Sequence, residues 1–347
     1  MSIALQVALV MVTILVVLLV IGAPIGVAIG MSSAVSMICM IPADVSFATS
    51  AQRIFAGSNS FSLIAIPFFI LAGNIMNNGG IATRLVNCAK VISGRMPGAL
   101  AQSNVVANML FGAISGSGAA AAAAMGGTIG PLEEKEGYDK NYSTAVNVAS
   151  APVGMLIPPS NTMIVYSSVA GSVSIAALFM AGYIPGLLWG GAVMILAGIM
   201  AKKRGYQAEQ RVPVKVALKT FWQAIPSLLL IVIVIGGILG GIFTATEGSA
   251  IAVVYATVLS LIYKAFKIKD IPRIVLEAAK TTGIITFMIG LSSIMSWAMA
   301  FTEIPDMIAT AILGLTDNKI LILLLINVLL LVVGTFMDVT PAILIFT

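Results

Sequence analysis

Small and polar residues interrupt an otherwise apolar stretch, residues 96–132, that carries no charge. Ser115, Gly116, Ser117 and Gly118 stand at its middle, and six alanines follow them. Glycines and serines in such a position break a helix, so the stretch predicts a hairpin whose tip exposes backbone carbonyls and hydroxyls. The alanine run gives a thin surface that packs closely against neighbouring helices. The alternative is a small-residue packing helix whose serines bond to their own preceding carbonyls.

Two amide side chains lie on the arm that leads to this tip. Asn104 and Asn108 are four residues apart, a spacing that places both on one face of a helix. Polar clusters without a partner are rare in lipid, so this face is predicted to point into the protein or into a cavity. We therefore interpret Asn108 as a candidate contact for a bound substrate.

A second break is predicted at Pro158-Pro159, because neither proline has an N–H to donate and each ring clashes with the preceding turn. Residues 141–168 then form two half-helices that meet near the bilayer centre. The first half ends in free carbonyls over Gly154–Ile157, which suit a cation. The second half begins with polar residues whose N–H groups form a positive helix end that suits an anion: Ser160, Asn161 and Thr162. A paired cation and anion site is what a sodium-coupled acid transporter needs. The alternative is a proline kink without a ligand.

The acidic residues outside these two breaks receive different interpretations. Asp338 follows eighteen uncharged residues, which predicts an intramembrane carboxylate that either helps hold a second cation or caps a helix starting near Pro341. Glu247 stands at a predicted helix start and is interpreted as a cap. The run Glu133-Glu134-Lys135-Glu136 is interpreted as a solvated turn. The chain has no His and no G-x-S-x-G sequence, so no enzyme activity is expected.

The composition places these motifs in a membrane. The chain has 347 residues, of which 59% are hydrophobic and 9% charged, with a mean hydropathy of +1.09. Soluble domains carry about 25% charged residues, and a helix of about 20 apolar residues spans the hydrocarbon of a bilayer. The sequence therefore predicts an all-α polytopic membrane protein. The apolar segment at its start lacks a basic leader and runs into a second apolar helix, so it is interpreted as a retained span.

The basic residues orient the chain. Fifteen of the eighteen Lys and Arg residues fall in four clusters, interpreted as loops: Arg84–Arg95, Lys135 with Lys140, Lys202–Lys219 and Lys264–Arg273. Because Lys and Arg are enriched in cytoplasmic loops, we predict a multi-pass protein of the bacterial inner membrane with a periplasmic N-terminus. The predicted passes are 3–21, 24–41, 62–79, 141–168, 173–201, 222–243, 246–263 and 274–300, with 97–132 entering from the cytoplasm and returning to it.

Weak internal similarity recurs at a nearly constant offset. Residues 22–29 match 244–251 at an offset of 222, residues 68–76 resemble 287–295 at 219, and the offset returns to 222 where Phe111-Gly112 faces Val333-Gly334. The second set enters from the opposite side, which predicts an inverted repeat. On this repeat the chain ends at a position equivalent to about 125, so roughly 76 residues of the second half are missing from a protein of about 423 residues.

The chain resembles the large membrane subunit of tripartite ATP-independent periplasmic (TRAP) transporters over nearly its whole length. The motifs that carry this resemblance are Ser115-Gly-Ser117 with its alanine run, Gly130-Pro131 with Glu136-Gly137-Tyr138-Asp139, Pro152-Val-Gly154 with Ile157-Pro158-Pro159-Ser160, and Gly334 with Met337-Asp338-Val-Thr340-Pro341. The resemblance implies an elevator transporter of the ion-transporter superfamily, with two hairpins in a mobile transport domain. It also implies sodium coupling, a small four-helix membrane subunit and a periplasmic binding protein that delivers the substrate.

The resemblance further implies two sodium sites. The first would use Ser115 and Ser117 with the backbone of Gly154, Ile157 and Pro159. The second would lie around Gly334 to Asp338 and residues beyond Thr347. The departure from the family pattern is the early end of the chain, which removes the return arm of the second hairpin and the second broken helix. On this reading the chain lacks half of its transport domain.

These inferences combine into one predicted architecture: an inverted-repeat elevator transporter with re-entrant helical hairpins and broken helices, whose second repeat is incomplete at the C-terminus. The predicted parts are 1–96, a first scaffold part with a surface amphipathic segment near 47–58; 97–201, a first transport part with a hairpin at 97–132, a broken helix at 141–168 and a span at 173–201; 202–319, a linker and second scaffold part; and 320–347, the start of a second hairpin.

The leading functional hypothesis is sodium-coupled uptake of a small organic anion, a carboxylate or sugar acid, by a permease subunit surrounded by membrane lipid. The first alternative is a stand-alone sodium/dicarboxylate symporter of similar fold, which would work without a binding protein. A non-transporting membrane scaffold is the second, and it predicts that Ser115→Ala, Gly154→Val or Pro159→Ala leaves uptake unchanged. No cofactor or metal other than sodium and no nucleic-acid partner are expected.

Overall fold

The computed structural model describes residues 3–171, 173–206, 213–314, 318–334 and 339–347, and within these ranges it contains helices and no strand. Two short 3₁₀ turns, Phe61–Ile64 and Ile268–Asp270, accompany the α-helices. In chain order the α-helices are α1 (Ile3–Val20), α2 (Ile25–Met37), α3 (Ala43–Ser58), α4 (Ala65–Asn78), α5 (Ile81–Ser93), α6 (Ala99–Ser115), α7 (Gly118–Thr128), α8 (Gly130–Lys135), α9 (Lys140–Ser150), α10 (Val153–Leu156), α11 (Asn161–Ala170), α12 (Ile175–Arg204), α13 (Val214–Leu239), α14 (Ala245–Ile262), α15 (Ile271–Phe301), α16 (Ile304–Leu313), α17 (Lys319–Gly334) and α18 (Val339–Phe346).

Several of these helices have the length and composition of membrane spans. Among the described residues, α1, α12, α13, α14 and α15 are each long and apolar enough to cross a bilayer. A bent pair, α9–α10 with α11, adds a sixth candidate. Helices α2 and α17 are apolar but shorter. The prediction of an all-α, multi-pass membrane protein is confirmed at this level.

The structure corrects one detail of the charge analysis. The first basic cluster, interpreted as a loop, lies largely on the amphipathic helix α5. Ile81 and Leu85 are buried on one side of this helix. On another side the guanidinium of Arg84 lies 3.4 Å from the centre of the Tyr263 ring and donates to the carbonyl of Gly80 at 2.9 Å. The apolar spacing within the cluster was the sequence signal for this helix.

Residues 1–63 and 283–347 make up the first of two compact units. Its core contains Val7 and Met11 of α1, Ile29 of α2 and Ile294 of α15. Helix α3 covers the predicted surface segment near 47–58; it exposes Phe47 and Phe55 and buries serines on the opposite side.

Residues 64–282 make up the second unit, which contains both predicted breaks. Its core is built mainly from α5, α6, α7, α9 and α12, and the side chains at its centre are almost completely buried: Leu100, Val105, Met125, Ile129 and Ala201. This packing holds the two arms of the hairpin against the first half of the broken helix. The division into scaffold and transport parts stays a prediction.

The interpretation of Glu247 as a helix cap is confirmed. The backbone N–H of Thr244 donates to Glu247 Oε2 at 2.7 Å, and the backbone N–H of Glu247 donates to Thr244 Oγ1 at 3.3 Å. This reciprocal arrangement is a capping box, which satisfies two donors at the start of α14. Glu247 therefore has a structural role.

Candidate functional site

The predicted hairpin break lies between α6 and α7. Helix α6 ends at Ser115, and Gly116 adopts a left-handed conformation with φ of 63°. Ser117 is the N-cap of α7, where its hydroxyl accepts from the backbone N–H of Ala120 at 3.3 Å. The two helices pack against each other on either side of this turn. The glycine is required here because residues with a Cβ rarely adopt this conformation.

The predicted break in the second segment is also present. Helix α9 ends at Ser150 and is followed by the single turn α10, after which Ile157 is extended and the Pro158-Pro159 bond is cis. Helix α11 then starts at Asn161, and the two halves are bent by 51°. The chain therefore leaves and re-enters helix within a few residues, beside the double proline.

The two breaks touch each other through glycine. A Cβ placed on Gly112 of α6 would lie 2.7 Å from Gly154 Cα of α10, and a Cβ on Gly154 would overlap the backbone of Gly112 more closely still. Only glycine at both positions lets the two backbones approach this far. The consequence is that the last turn of the first hairpin arm lies against the end of the first half-helix.

Asn161 lies at the centre of this location. A Cβ on Gly116 would lie 2.5 Å from Asn161 Nδ2, so the Asn161 side chain rests directly on the hairpin turn. Asn161 is 8% exposed, and its Oδ1 has no hydrogen-bond partner among the described residues. A buried amide oxygen without a partner is costly unless a ligand engages it. This oxygen fits a small cation, which takes oxygen ligands from irregular backbone and side chains of this kind.

Ser160 occupies the N-cap position of α11 but does not act as the predicted side-chain cap. Its side chain is fully buried, and its hydroxyl donates to the carbonyl of Met155 at 2.5 Å. The expectation of free carbonyls over Gly154–Ile157 is wrong in part, because Gly154 O also accepts from the backbone N–H of Ile157 at 3.3 Å. Because its hydroxyl is bonded to the Met155 carbonyl, Ser160 links the two sides of the break and its side chain does not cap α11.

Asn108 lies inside a buried amide cluster. Its Nδ2 lies 2.9 Å from Asn104 Oδ1, 2.9 Å from Asn147 Oδ1 and 2.8 Å from Ser150 Oγ. Asn147 in turn donates to the carbonyl of Ala122 in α7 at 2.8 Å. The cluster therefore joins both hairpin arms to α9. Sequence analysis found Asn104 and Asn108 but missed Asn147 and Ser150, whose i, i+3 spacing on a helix was the available signal.

Comparison with known proteins decides the family. Residues 12–347 match the family described as tripartite ATP-independent periplasmic transporter, DctM component. The chain belongs to this family of TRAP transporter permeases. It is 38% identical over 294 residues to the sialic acid TRAP transporter large permease SiaM of Vibrio cholerae, with 83% of this chain and 68% of the relative covered.

Two further relatives are similar to the chain over most of its length. It is 35% identical over 311 residues to the C4-dicarboxylate TRAP transporter large permease DctM of Rhodobacter capsulatus, covering 86% of this chain and 71% of that protein. It is 51% identical over 316 residues to the protein YgiK of Salmonella typhimurium, covering 91% of this chain and 73% of YgiK. The TRAP large permeases are transporters of organic anions, so the chain is a permease and not an enzyme.

The remaining predicted site residues of this TRAP permease have different surroundings. Ile157 points toward α12, where a Cβ on Gly186 would lie 2.9 Å from its Cγ1. Pro159 is buried and Thr162 is half-buried. Gly334, in the first unit, ends α17 with open space beside it. Asp338 lies outside the described residues, and so does the side chain of Ser115.

In the second unit, the end of α12 makes polar and aromatic contacts with the loop that precedes α9. Arg204, at the end of α12, lies 3.1 Å from Asp139, the N-cap of α9. The backbone N–H of Tyr142 donates to Asp139 Oδ1 at 2.9 Å, and this bond, with the Arg204 guanidinium, holds the pKa of Asp139 below its ordinary value. Tyr206 stacks on Tyr138 with ring centres 4.3 Å apart. These contacts fasten the loop before α9 to the end of α12.

The prediction of a solvated turn at residues 133–136 is wrong for Glu133. The run that contains it was interpreted as a solvated turn, and Glu134, Lys135 and Glu136 are indeed exposed. Glu133 itself is 1% exposed. The short helix α8 turns this one carboxyl inward toward α6 and α9 because Glu133 and its neighbours fall on different faces of a helical turn. Charge alone could not reveal this, since the run is charged throughout.

Proposed function

We propose that this TRAP permease takes up a small organic anion together with sodium ions across the bacterial inner membrane. The proposed substrate class is a carboxylate or sugar acid, because the relatives SiaM and DctM are permeases for sialic acid and C4-dicarboxylates. The proposed partners are a small four-helix membrane subunit and a periplasmic binding protein that delivers the substrate. The N-terminus is proposed to be periplasmic, with the basic clusters in the cytoplasm.

The observation that carries this proposal is the glycine contact between Gly112 and Gly154. It brings a hairpin arm next to its turn together with a broken helix, and such discontinuous helices are where secondary transporters bind their substrates and coupling ions. A membrane scaffold has no need for irregular backbone of this kind, which is tolerated at membrane depth only where protein covers it or a cavity adjoins it.

The proposed sodium site uses the hydroxyls of Ser115 and Ser117 with the backbone of Gly154, Ile157 and Pro159. Its support is the contact of Gly112 with Gly154, the contact of Gly116 with Asn161, and the Asn161 Oδ1 that has no partner among the described residues. Sodium, when bound, supplies a positive charge next to the half-helix that receives the anion. A second site around Gly334 and Asp338 is proposed on the family resemblance alone.

The proposed anion site is the N-terminal end of α11, at Ser160, Asn161 and Thr162. The first N–H groups of a helix have no intrahelical acceptors and attract a carboxylate. The hydroxyl of Ser160 is already engaged with Met155, so its proposed contribution is the backbone N–H. Asn108 is proposed to contribute indirectly, because the amide cluster to which it belongs holds the hairpin against α9.

We further propose that the predicted transport part, residues 97–201, moves as the transport element of an elevator mechanism. Its support is the dense packing of α6, α7 and α9, which lets the two breaks move as one body. The inverted repeat that such a mechanism implies is proposed from the constant offset in the sequence.

Uptake by the reconstituted permease tests the function. The permease and its small subunit are placed in proteoliposomes, with binding protein and a radiolabelled candidate acid outside. We expect uptake only with an inward sodium gradient and with the binding protein present. Equal uptake when potassium replaces sodium contradicts the coupling, and equal uptake without the binding protein favours the stand-alone symporter. An absence of uptake with every acid class, from a permease that binds its partner, favours the scaffold.

A further inference from the structure

A buried carboxyl lies at the opposite end of α6 and α9 from the glycine contact. Glu133 is 1% exposed, and neither of its oxygens has a hydrogen-bond partner among the described residues at normal distance and angle. It forms no ion pair within the described part of the chain. A buried carboxylate without a positive partner is strongly disfavoured, so the group must either be neutral or hold a cation.

Two neutral polar groups face this carboxyl. Asn104 Nδ2 of α6 and Ser143 Oγ of α9 both act on its pKa, and neither has another partner among the described residues. Asn104 is 1% exposed and Ser143 9%. Polar groups from three helices thus converge on one point: Asn104 Nδ2, Ser143 Oγ and the Glu133 carboxyl, none of which has a hydrogen bond of normal distance and angle among the described residues.

A cavity adjoins the three groups. It has a volume of about 320 Å³ and is lined by Asn104, Glu133 and Ser143, and also by Tyr138 and Lys140. Its volume is ample for several water molecules, since one water occupies about 30 Å³ of liquid. The cavity gives solvent ions and protons a path to the carboxyl.

The surrounding charges do not neutralise Glu133. Helices α6 and α7 contain no titratable side chain. From α9 and the preceding loop, Lys140, Tyr138 and Tyr142 face the region, and the exposed Lys140 forms no ion pair with Glu133. Arg204 forms its ion pair with Asp139. Glu134, which follows Glu133 on α8, adds a second negative charge near the cavity.

We propose that Glu133, Asn104 and Ser143 form a proton-binding site, in which Glu133 carries its proton while α8 is packed against α6 and α9. The proton comes from water in the adjoining cavity and returns to it when the carboxyl ionises. The protonated carboxyl satisfies all three groups: its carbonyl oxygen accepts from Asn104 Nδ2, and its O–H donates to Ser143 Oγ.

The orientation of Asn104 favours a proton over a metal cation at this site. Asn104 Oδ1 accepts from Asn108 Nδ2 at 2.9 Å, so its NH₂ group is the end that faces Glu133. An N–H donor repels a metal ion and complements a carbonyl oxygen. Burial raises the pKa of Glu133 above its ordinary value of 4.5, and the two facing donors oppose this shift without cancelling it.

The site would link proton binding to the packing of the hairpin. Helix α8 connects α7, the return arm of the hairpin, to α9, the first half of the broken helix. Ionised Glu133 favours hydration, which favours separation of α8 from α6 and α9. The inference does not depend on sodium coupling, because it concerns a different location from the Gly112 and Gly154 contact.

Infrared spectroscopy of the purified permease tests the proposal. The carbonyl stretch of a protonated carboxyl is followed as pH rises, in the parent protein, in Glu133→Gln and in the matched control Glu134→Gln, whose side chain is exposed. We expect a protonated band that persists above the range where exposed carboxyls ionise, that is absent from Glu133→Gln, and that remains in Glu134→Gln.

Several results would overturn it. A band that is unchanged in Glu133→Gln shows that another carboxyl holds the proton, and no band above the ordinary range in the parent protein shows that none does. Loss of the band on adding sodium at constant pH shows that the site holds a metal ion instead. Hydrogen exchange of residues 129–143 gives a second readout: exchange corrected for its intrinsic pH dependence should rise with pH in the parent protein and stay flat in Glu133→Gln, and equal pH dependence in both contradicts the proposal.

Discussion

The two ends of the contact between α6 and the broken helix are built on opposite principles. At one end Gly112 and Gly154 meet backbone to backbone, and the contact exists because side chains are absent. At the other end Glu133 meets Asn104 and Ser143, and the contact depends on polar groups, Asn104 Nδ2 and Ser143 Oγ, that have no other partner among the described residues. The first end is therefore sensitive to volume, and the second to charge.

The largest effect is expected at the glycine end. Gly154→Ala places a Cβ against the backbone of Gly112, which cannot give way as a flexible side chain would. We expect a loss of about 3 kcal/mol in the free energy of unfolding, the upper part of the range for overpacking, together with loss of uptake. Gly127→Ala in α7 is the matched control, because its Cβ would enter open space; it should be neutral or stabilising by about 0.5 kcal/mol. Equal losses in SDS-unfolding titrations of the two variants would contradict the account.

The next effect is expected in the amide cluster between the two ends. Asn108→Ala leaves Asn104, Asn147 and Ser150 with buried groups that lose their partner. We expect a loss of about 2 kcal/mol in the free energy of unfolding, since an unsatisfied buried polar group costs about 1–3 kcal/mol. Asn141→Ala, an exposed amide in α9, should leave the unfolding free energy unchanged. A neutral result for Asn108→Ala would show that the cluster does not fasten the hairpin.

The contact around Glu133 should make the stability of the protein depend on pH. The pKa of Glu133 is raised in the folded protein, so the folded state binds more protons than the unfolded state between 4.5 and the raised pKa. Stability from this group is therefore complete below 4.5 and decreases as pH rises through the raised pKa. Thermal unfolding across this range should show a smaller decrease in Glu133→Gln than in Glu134→Gln. A decrease of the same size in both variants assigns the titration to other groups.

The smallest effect is expected at the exposed pair of Asp139 and Arg204. The pKa of Asp139 is lowered, so its contribution to stability is present above 3.8 and is lost as pH falls through the lowered pKa. Asp139→Asn keeps an acceptor for the Tyr142 N–H and loses only the ion pair, whereas Asp139→Ala loses both. We expect a slightly lower melting temperature for Asn and a further decrease for Ala. Equal melting temperatures for the two variants would mean that the cap contributes nothing, and a higher one for Ala would contradict the account.

The sequence predicted the breaks well because each has a local cause. Glycine and serine between Gly112 and Gly118 end α6, and Pro158-Pro159 ends the first half-helix, whatever surrounds them. The meeting of Gly112 with Gly154 was not predictable, since it depends on how two distant helices pack. Ser160 has the residue type of a cap, and only the proximity of the Met155 carbonyl explains its other use.

The burial of Glu133 could not be predicted from the sequence around it. Four charged residues in succession indicate solvent, and three of them are exposed. The burial of Glu133 follows from Asn104 and Ser143, which lie 29 residues before it and 10 after it and become neighbours only in the folded protein. The residue pattern of one segment does not indicate which polar residues of other helices will lie beside it in the folded protein.

The central claim is that the hairpin turn and the broken helix hold a coupling sodium, and the sodium dependence of uptake in Ser117→Ala tests it most directly. Ser174→Ala is the matched control, because Ser174 caps α12 through the same hydrogen bond that Ser117 makes at α7. Both variants lose a cap of about 1 kcal/mol. We predict that Ser117→Ala raises the half-saturating sodium concentration about tenfold, the effect of losing about 1.4 kcal/mol of binding free energy, while Ser174→Ala leaves it unchanged. Identical sodium dependence in the two variants would contradict the claim.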